Sequence, residues 1–226
     1  AKQQALIMEK ASQITAVDIL DIYRNNGLLT KLHVLARFIT CPFLAIEKFI
    51  PKDGLIIDYG CGYGIFSHIL SILSLPREVY GFDISSSKIQ EAKRTLVSNG
   101  RIRFSNNNSE ALDIIRRADC VAMLDVLCYF SNSERENILK LFYNNLRKGV
   151  IIIVKDVQRK GSFKYAWLYL QELIAVKLLK ITEAPLLNFF SAEYLSSLLK
   201  NIGFEVDKVD ISKNYLYPHV LFVCKR

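Results

Sequence analysis

No Cys-x-x-Cys pair occurs anywhere in these 226 residues. The five cysteines, Cys41, Cys61, Cys120, Cys128 and Cys224, are scattered and odd in number. That pattern argues for reduced thiols and against a structural zinc site, and no metal is expected. Uninterrupted apolar runs of membrane-spanning length are also missing. Even YAWLYLQELIAVKLLKI carries Gln171, Glu172, Lys177 and Lys180, so no transmembrane helix is expected. The opening AKQQALIMEK has no apolar stretch of the secretory-signal kind, and the expectation is a cytoplasmic protein. Basic residues come at most two in a row, as in Lys93-Arg94, Arg116-Arg117 and Arg147-Lys148. The net charge of +8 therefore reads either as a solvated basic surface or as an anion-binding face, and a nucleic-acid partner is not expected.

What is present is alternation. From Gly54 onward short β-branched runs take turns with helical patterns, the mark of a parallel sheet with crossover helices. Strands are expected at Leu55–Asp58, Glu78–Phe82, Ile102–Ser105, Cys120–Leu124 and Val150–Lys155, with helices over 63–74, 86–98, 109–117 and 133–147. Ser133 and Glu136 have the spacing of a capping box for the fourth helix, and Gly149 follows its end. The tail adds an amphipathic helix over Ser191–Asn201, stopped by Gly203, and two terminal strands, FEVDKVDIS and HVLFVCKR. Two stretches interrupt the rhythm. Residues 1–50 read as a helical N-terminal cap, and residues 157–190 as a helical insertion within the main domain, 51–226.

The first strand runs directly into DYGCGYG, Asp58 to Gly64, whose three alternating glycines precede a helical pattern. Glycines so placed allow a ligand to approach the backbone closely. In a parallel open sheet that ligand sits beyond the carboxyl ends of the strands, beside the topological switch point. Asp83, in VYGFDIS, stands at the end of the second strand, where a carboxylate can accept hydrogen bonds from ribose hydroxyls. A dinucleotide fingerprint would read Gly-x-Gly-x-x-Gly, a spacing absent here.

DYGCGYG and Asp83, with ADCVAMLDVLCYF and LRKGVIIIVKDV farther along, resemble the class I S-adenosylmethionine-dependent methyltransferases from about Gly54 to the C-terminus. The resemblance implies a Rossmann-like, doubly wound α/β fold with seven strands, the last antiparallel, and S-adenosyl-L-methionine as cofactor. By the same resemblance Asp58, Gly60, Cys61, Gly62 and Gly64 line the cofactor's path, Asp83 clasps its ribose, and Ile84 offers adenine an apolar face. Asn108, or Asn107 one residue earlier, stands where the family often has an acidic residue facing the adenine amino group; the alternative is a polar turn. Asp125 and Val126 match the positions facing the sulfonium and its methyl.

Methyl transfer from a sulfonium is an in-line displacement of an activated leaving group, so positioning carries most of the catalysis. A hydroxyl nucleophile would also need a base; a phenolate or carboxylate would not. Asp125 can be that base or a cofactor contact, and Tyr129 can reach the substrate or merely pack. His33, Asp156 and, from the insertion, Trp167 are candidate substrate contacts, whereas His68 sits in an apolar helical set and reads as a core histidine. An Asn-Pro-Pro-Tyr-like tetrad, which in related enzymes grips a planar nitrogen, is replaced by Asp125-Val126-Leu127-Cys128, against amide and exocyclic-amine acceptors. The insertion GSFKYAWLYLQELIAVKLLKI is apolar nearly all round, so something must cover it: the cap, a second subunit, an apolar substrate or a lipid surface. In the resembled family, cap and insertion form the roof over the acceptor. The expected activity is O- or C-methylation of a small apolar, aromatic or lipid-linked acceptor. A homodimer and a peripheral membrane contact are open. A cofactor-binding protein without transfer activity, or an RNA methyltransferase, are the alternatives.

Overall fold

Leu55 to Tyr59 alternate their side chains between two apolar layers, and three of the later strands repeat the pattern. In the computed structural model, which describes residues 14–96, 100–157, 188, 190–213, 215 and 219–226, β1 (Gly54–Tyr59) sends Ile56 to one core and Ile57 to the other. β2 (Arg77–Phe82) divides Val79 from Tyr80, β4 (Cys120–Leu124) divides Ala122 from Met123, and β5 (Ile151–Val157) divides Ile153 from Val154. Strands buried on both faces are the rule for a parallel sheet covered by helices on each side.

The sheet has seven strands in the order β3-β2-β1-β4-β5-β7-β6, with β3 at Ile102–Ser105, β6 at Glu205–Asp210 and β7 at His219–Lys225. β1 to β5 pair in parallel, and β7 runs antiparallel to both β5 and β6. This is the doubly wound sheet with an antiparallel last strand that the sequence led us to expect. The order reverses between β1 and β4, so the crevice for a ligand opens at the carboxyl ends of those strands.

On one face lie the cap helices α1 (Ala16–Ile22), α2 (Leu28–Thr40) and α3 (Phe43–Glu47), followed by α4 (Ile65–Leu73) and α5 (Ser86–Lys93). The other face is covered by α6 (Asn108–Ile115), α7 (Asn132–Asn145) and α8 (Ala192–Ile202). The helix starts follow local chemistry. α1 opens on a Thr15/Asp18 capping box, and α8 on Ser191, ending at left-handed Gly203. The capping box of α7 is formed by Ser131 and Glu134, two residues before the expected Ser133/Glu136 pair: Ser131 Oγ accepts from the Glu134 amide at 3.3 Å, and the Ser131 amide donates to Glu134 Oε2 at 2.8 Å. Both pairs satisfy the same spacing rule, and the chain leaves extended geometry at Ser131. The expected helical insertion lies outside the described residues except for 157, 188 and 190, and Trp167 falls with it.

Arg77 ties the cap to the sheet. Its side chain is fully buried, donating through Nε to the Pro51 carbonyl at 2.6 Å, and through Nη1 and Nη2 to the carbonyls of Leu70 and Ile50 at 3.0 Å each. Nη1 also lies 2.7 Å from Glu47 of α3. Glu47 keeps a second cation, Lys52 Nζ at 2.6 Å, but without Arg77 the carbonyls of Pro51, Leu70 and Ile50 lose their donors, at about 1–3 kcal/mol for each one left unsatisfied. Arg77→Met is expected to lower unfolding free energy by about 3 kcal/mol or more on that basis. Urea titration checks this, and a midpoint equal to the parent's would refute the anchor.

Candidate functional site

The glycine loop leaves β1 and folds back on β2: the amides of Gly60 and Cys61 both donate to the Phe82 carbonyl, at 2.7 and 2.9 Å. Gly60, Gly62 and Gly64 all have left-handed backbones, with φ of +79°, +55° and +83°. Their surroundings differ. A Cβ on Gly60 would lie 2.3 Å from Val126 Cγ2, and one on Gly64 would lie 2.4 Å from the Phe104 ring. A Cβ on Gly62 would meet nothing within 4 Å. Two of the glycines are therefore required by the protein's own packing, and Gly62 alone faces open space on the crevice side.

Asp83 completes this wall. It is largely buried, and its two carboxylate oxygens accept from the amides of Gly62 at 2.8 Å and Ser85 at 2.9 Å. A carboxylate held from behind by two amides keeps its remaining lone pairs in a fixed direction. Ile84, next in the chain, exposes 79% of its surface, high for an isoleucine. Asp58 is buried at the end of β1 and accepts from Ser67 Oγ at 2.6 Å; burial pushes its carboxyl up to about 6. Cys61 lies half-buried in the loop, its thiol pushed up by burial.

Asn107 is the N-cap of α6: its Oδ1 accepts from the amides of Ser109 and Glu110 at 3.0 and 3.3 Å. Its carboxamide oxygen is thus engaged, as in the polar-turn alternative. Asn108 follows on an apolar cleft of about 130 Å³ that also involves Tyr59, Phe82 and Leu112.

At the end of β4, Asp125 adopts a left-handed backbone, φ +56°, uncommon outside glycine though better tolerated by Asp and Asn than by most residues. Lys155 Nζ lies 2.7 Å from both carboxylate oxygens, and Arg37 Nη2 lies 2.8 Å from Oδ2. The two cations hold the carboxyl well below the usual carboxylate range despite its burial. Such a carboxylate is a weak proton acceptor, so the geometry speaks for Asp125 as an organiser rather than a base. Val126 packs over Gly60, and Tyr129 ends a short 3₁₀ turn, Leu127–Tyr129. Buried Arg135 fixes that turn from below, donating to the carbonyls of Leu127 at 3.2 Å and Phe130 at 3.0 Å. Asp156, expected on the rim, is 2% exposed, and strand alternation turns it from the face that carries Lys155.

Helix α2 crosses this edge. His33 packs edge-on to Tyr63 of the glycine loop, with ring centroids 5.0 Å apart. One turn later Arg37 reaches Asp125, and the Thr40 carbonyl lies 3.0 Å from His219 Nε2 at the start of β7. Tyr23 of the cap donates its hydroxyl to the Tyr63 carbonyl at 2.6 Å. Sequence reading singled out His33 but neither Arg37 nor Lys155. The available signals were a lone lysine inside the apolar strand IIIVKDV and an arginine one helical turn after His33.

A model of the methyltransferase domain family matches residues 32–209, most of the chain. The chain belongs to that family. The sequence's resemblance to the class I S-adenosylmethionine-dependent methyltransferases thus stands as kinship. Solved structures share the fold: an O-methyltransferase family protein from Burkholderia thailandensis (TM-score 0.63, 13% identity, 85% of this chain and 57% of that one); human N-acetylserotonin methyltransferase in complex with SAM (0.61, 16%, 94% and 56%); and an S-adenosylmethionine-dependent methyltransferase from Clostridium acetobutylicum (0.62, 15%, 88% and 99%). The chain spans little more than half the length of the first two. No curated protein matches it. Among the described residues no cluster of metal-ligating side chains is found, and no helix is long and apolar enough to cross a membrane.

Three buried histidines shape the pH dependence of stability. Burial pushes His33, His68 and His219 each down to about 4, so the folded state keeps them neutral. His68 pairs with Thr95 Oγ1 at 2.6 Å, a core histidine as expected. Below pH 6.5 the unfolded chain takes up protons that the folded chain refuses, so stability is lost as pH falls from 6.5 toward 4. Asp58, raised to about 6, acts in the opposite sense, but it is one group against three. The thermal midpoint is expected to be lower at pH 5 than at pH 7. A midpoint equal or higher at pH 5 would contradict the neutral, buried histidines.

Proposed function

We propose that this chain binds S-adenosylmethionine at the glycine loop and methylates oxygen or carbon of a small acceptor whose body is apolar, aromatic or lipid-linked. The carrying observation is the contrast within the loop: Gly62 opens on empty space while its amide holds Asp83 in place. That arrangement fits a nucleoside sugar gripped by Asp83, with Ile84 against the base and the Gly62 backbone in close approach to the rest of the cofactor. When bound, the cofactor supplies a methyl group on a sulfonium, already activated for displacement.

The chain's own part is to bind, align and desolvate. Asp83 holds hydroxyls through charge-assisted hydrogen bonds worth about 1.5–3 kcal/mol each. Asp125, fixed by Lys155 and Arg37, keeps the β4 exit and Val126 in register with Gly60. Alignment of nucleophile with methyl carbon contributes up to about 7–11 kcal/mol in well-oriented systems. The apolar insertion sequence and kinship of fold with an O-methyltransferase family protein support the acceptor class.

Calorimetric titration with S-adenosylmethionine tests the cofactor site. Asp83→Ala is expected to weaken binding about tenfold or more, the loss of one charge-assisted bond. Gly62→Ala has room for its methyl but strains the backbone by about 1–2 kcal/mol; it is expected to fold and to bind the cofactor poorly. Tritium transfer from labelled cofactor into a cell extract is expected to label a small, solvent-extractable product. Binding without any transfer would instead make the protein a cofactor sensor, and undiminished binding by Asp83→Ala would sink the site assignment.

A further inference from the structure

The centre of the strand edge holds two cations and one carboxylate. Lys155 and Arg37 converge on Asp125, and α2 brings Arg37 there from above, between the His33–Tyr63 contact at the glycine loop and the Thr40–His219 contact at β7. Lys155 is fully buried, with both Asp125 oxygens on its ammonium. Arg37 is different. A third of its side chain is exposed, and among the described residues its guanidinium makes one hydrogen bond, to Asp125 Oδ2. A guanidinium has five N–H donors arranged as a fork that suits a planar oxyanion.

Among the described residues, no carboxylate besides Asp125 pairs with Arg37. His33 and His219 are held neutral by burial, the Cys41 thiol is pushed up, and Lys88 adds a further positive field at His33. Asp83 is engaged by the amides of Gly62 and Ser85, and Asp58 by Ser67. A partly desolvated cation in excess calls for an anion.

On the methyltransferase reading above, we propose that Arg37, backed by Lys155, selects acceptors that present an anionic oxygen, a carboxylate or an ionised aromatic hydroxyl, at the centre of the strand edge. Such an acceptor supplies its own charged nucleophile or anchors itself beside it. The site then needs no base from Asp125, whose carboxylate is already held by both cations. Specificity follows from the pairing: a neutral isostere leaves the guanidinium donors unmatched.

The test uses the full chain without cofactor, so the anion site is read independently of S-adenosylmethionine. Octanoate against octan-1-ol, and 4-nitrophenolate against nitrobenzene, are titrated by calorimetry, the two pairs separating carboxylate from phenolate. The anion of at least one pair is expected to bind at least about tenfold more tightly than its neutral partner, as one charge-assisted bond implies. Arg37→Gln is expected to lose that preference while still binding S-adenosylmethionine, and Arg37→Lys, which keeps the charge without the fork, to fall between. Equal affinity for anion and neutral partner in the parent, or an undiminished preference in folded Arg37→Gln, overturns the proposal; in the latter case Arg37 serves only to tie α2 down. Anion preference in a protein that ignores S-adenosylmethionine would leave this inference standing and remove the methyltransferase reading instead.

Discussion

Lys155 has no exposed surface, and a buried ammonium survives only beside a counter-charge. That requirement organises the carboxyl edge of the sheet. The counter-charge is Asp125, just past the end of the neighbouring β4, and it is held there with a left-handed backbone, at a cost of about 1–3 kcal/mol. The same turn is locked by the Asp125 amide, which donates to the Lys155 carbonyl at 2.9 Å. Once the carboxylate is fixed, a second cation on a separate helix can use its free side, and Arg37 does so. The edge of the roof is therefore pinned, at Arg37, to the same carboxylate that neutralises the strand lysine.

The glycine loop shows a parallel economy. Val126, the residue after Asp125, occupies the space that a side chain on Gly60 would need, and Phe104 of β3 does the same at Gly64. Both glycines are demanded by neighbours within the fold. Only at Gly62 does the absent side chain leave a vacancy, and there the amide turns to Asp83. A motif that reads as one functional unit in sequence divides in space into two packing positions and one position of approach.

This division explains what the sequence could and could not disclose. Strand alternation and helix periodicity are local, so the sheet, its crossover helices and the antiparallel tail were legible from β-branched runs and capping residues. The placement of Asp58, Gly62 and Asp83 at the carboxyl edge of the sheet was legible because their spacing relative to β1 and β2 is constrained by the turn itself. The α7 capping box was misplaced by two residues because SNSERE offers two serine–glutamate pairs at the same spacing, and backbone geometry decides between them. Arg37 and Lys155 went unseen for a different reason. Their partner is 88 and 30 residues away, and no local pattern encodes an ion pair across such separations. Asp156 was expected on the rim because it stands near the end of the fifth strand, yet it is buried, and a period of two puts its neighbour Lys155 beside Asp125.

The cap cannot be treated as an appendage to a finished domain. Ile19, Tyr23, Val34, Phe43 and Ile46 share one apolar core with Ile56 of β1, Phe66 of α4 and Leu221 of β7. Asn26 of the cap donates both to the Glu91 carbonyl and to its carboxylate on α5, at 2.9 Å each. Beside the face of α2 that contributes Val34 to this core, His33 and Arg37 stand one turn apart, toward the glycine loop and Asp125. Hydrophobic burial therefore sets the height of the roof, and the charged and aromatic side chains at its edges inherit their positions from it. One helix touches both the loop that fits a cofactor and the carboxylate at the centre of the edge. Any displacement of α2 must accordingly alter both together, which makes binding at the glycine loop and recognition at Arg37 two readings of a single packing arrangement.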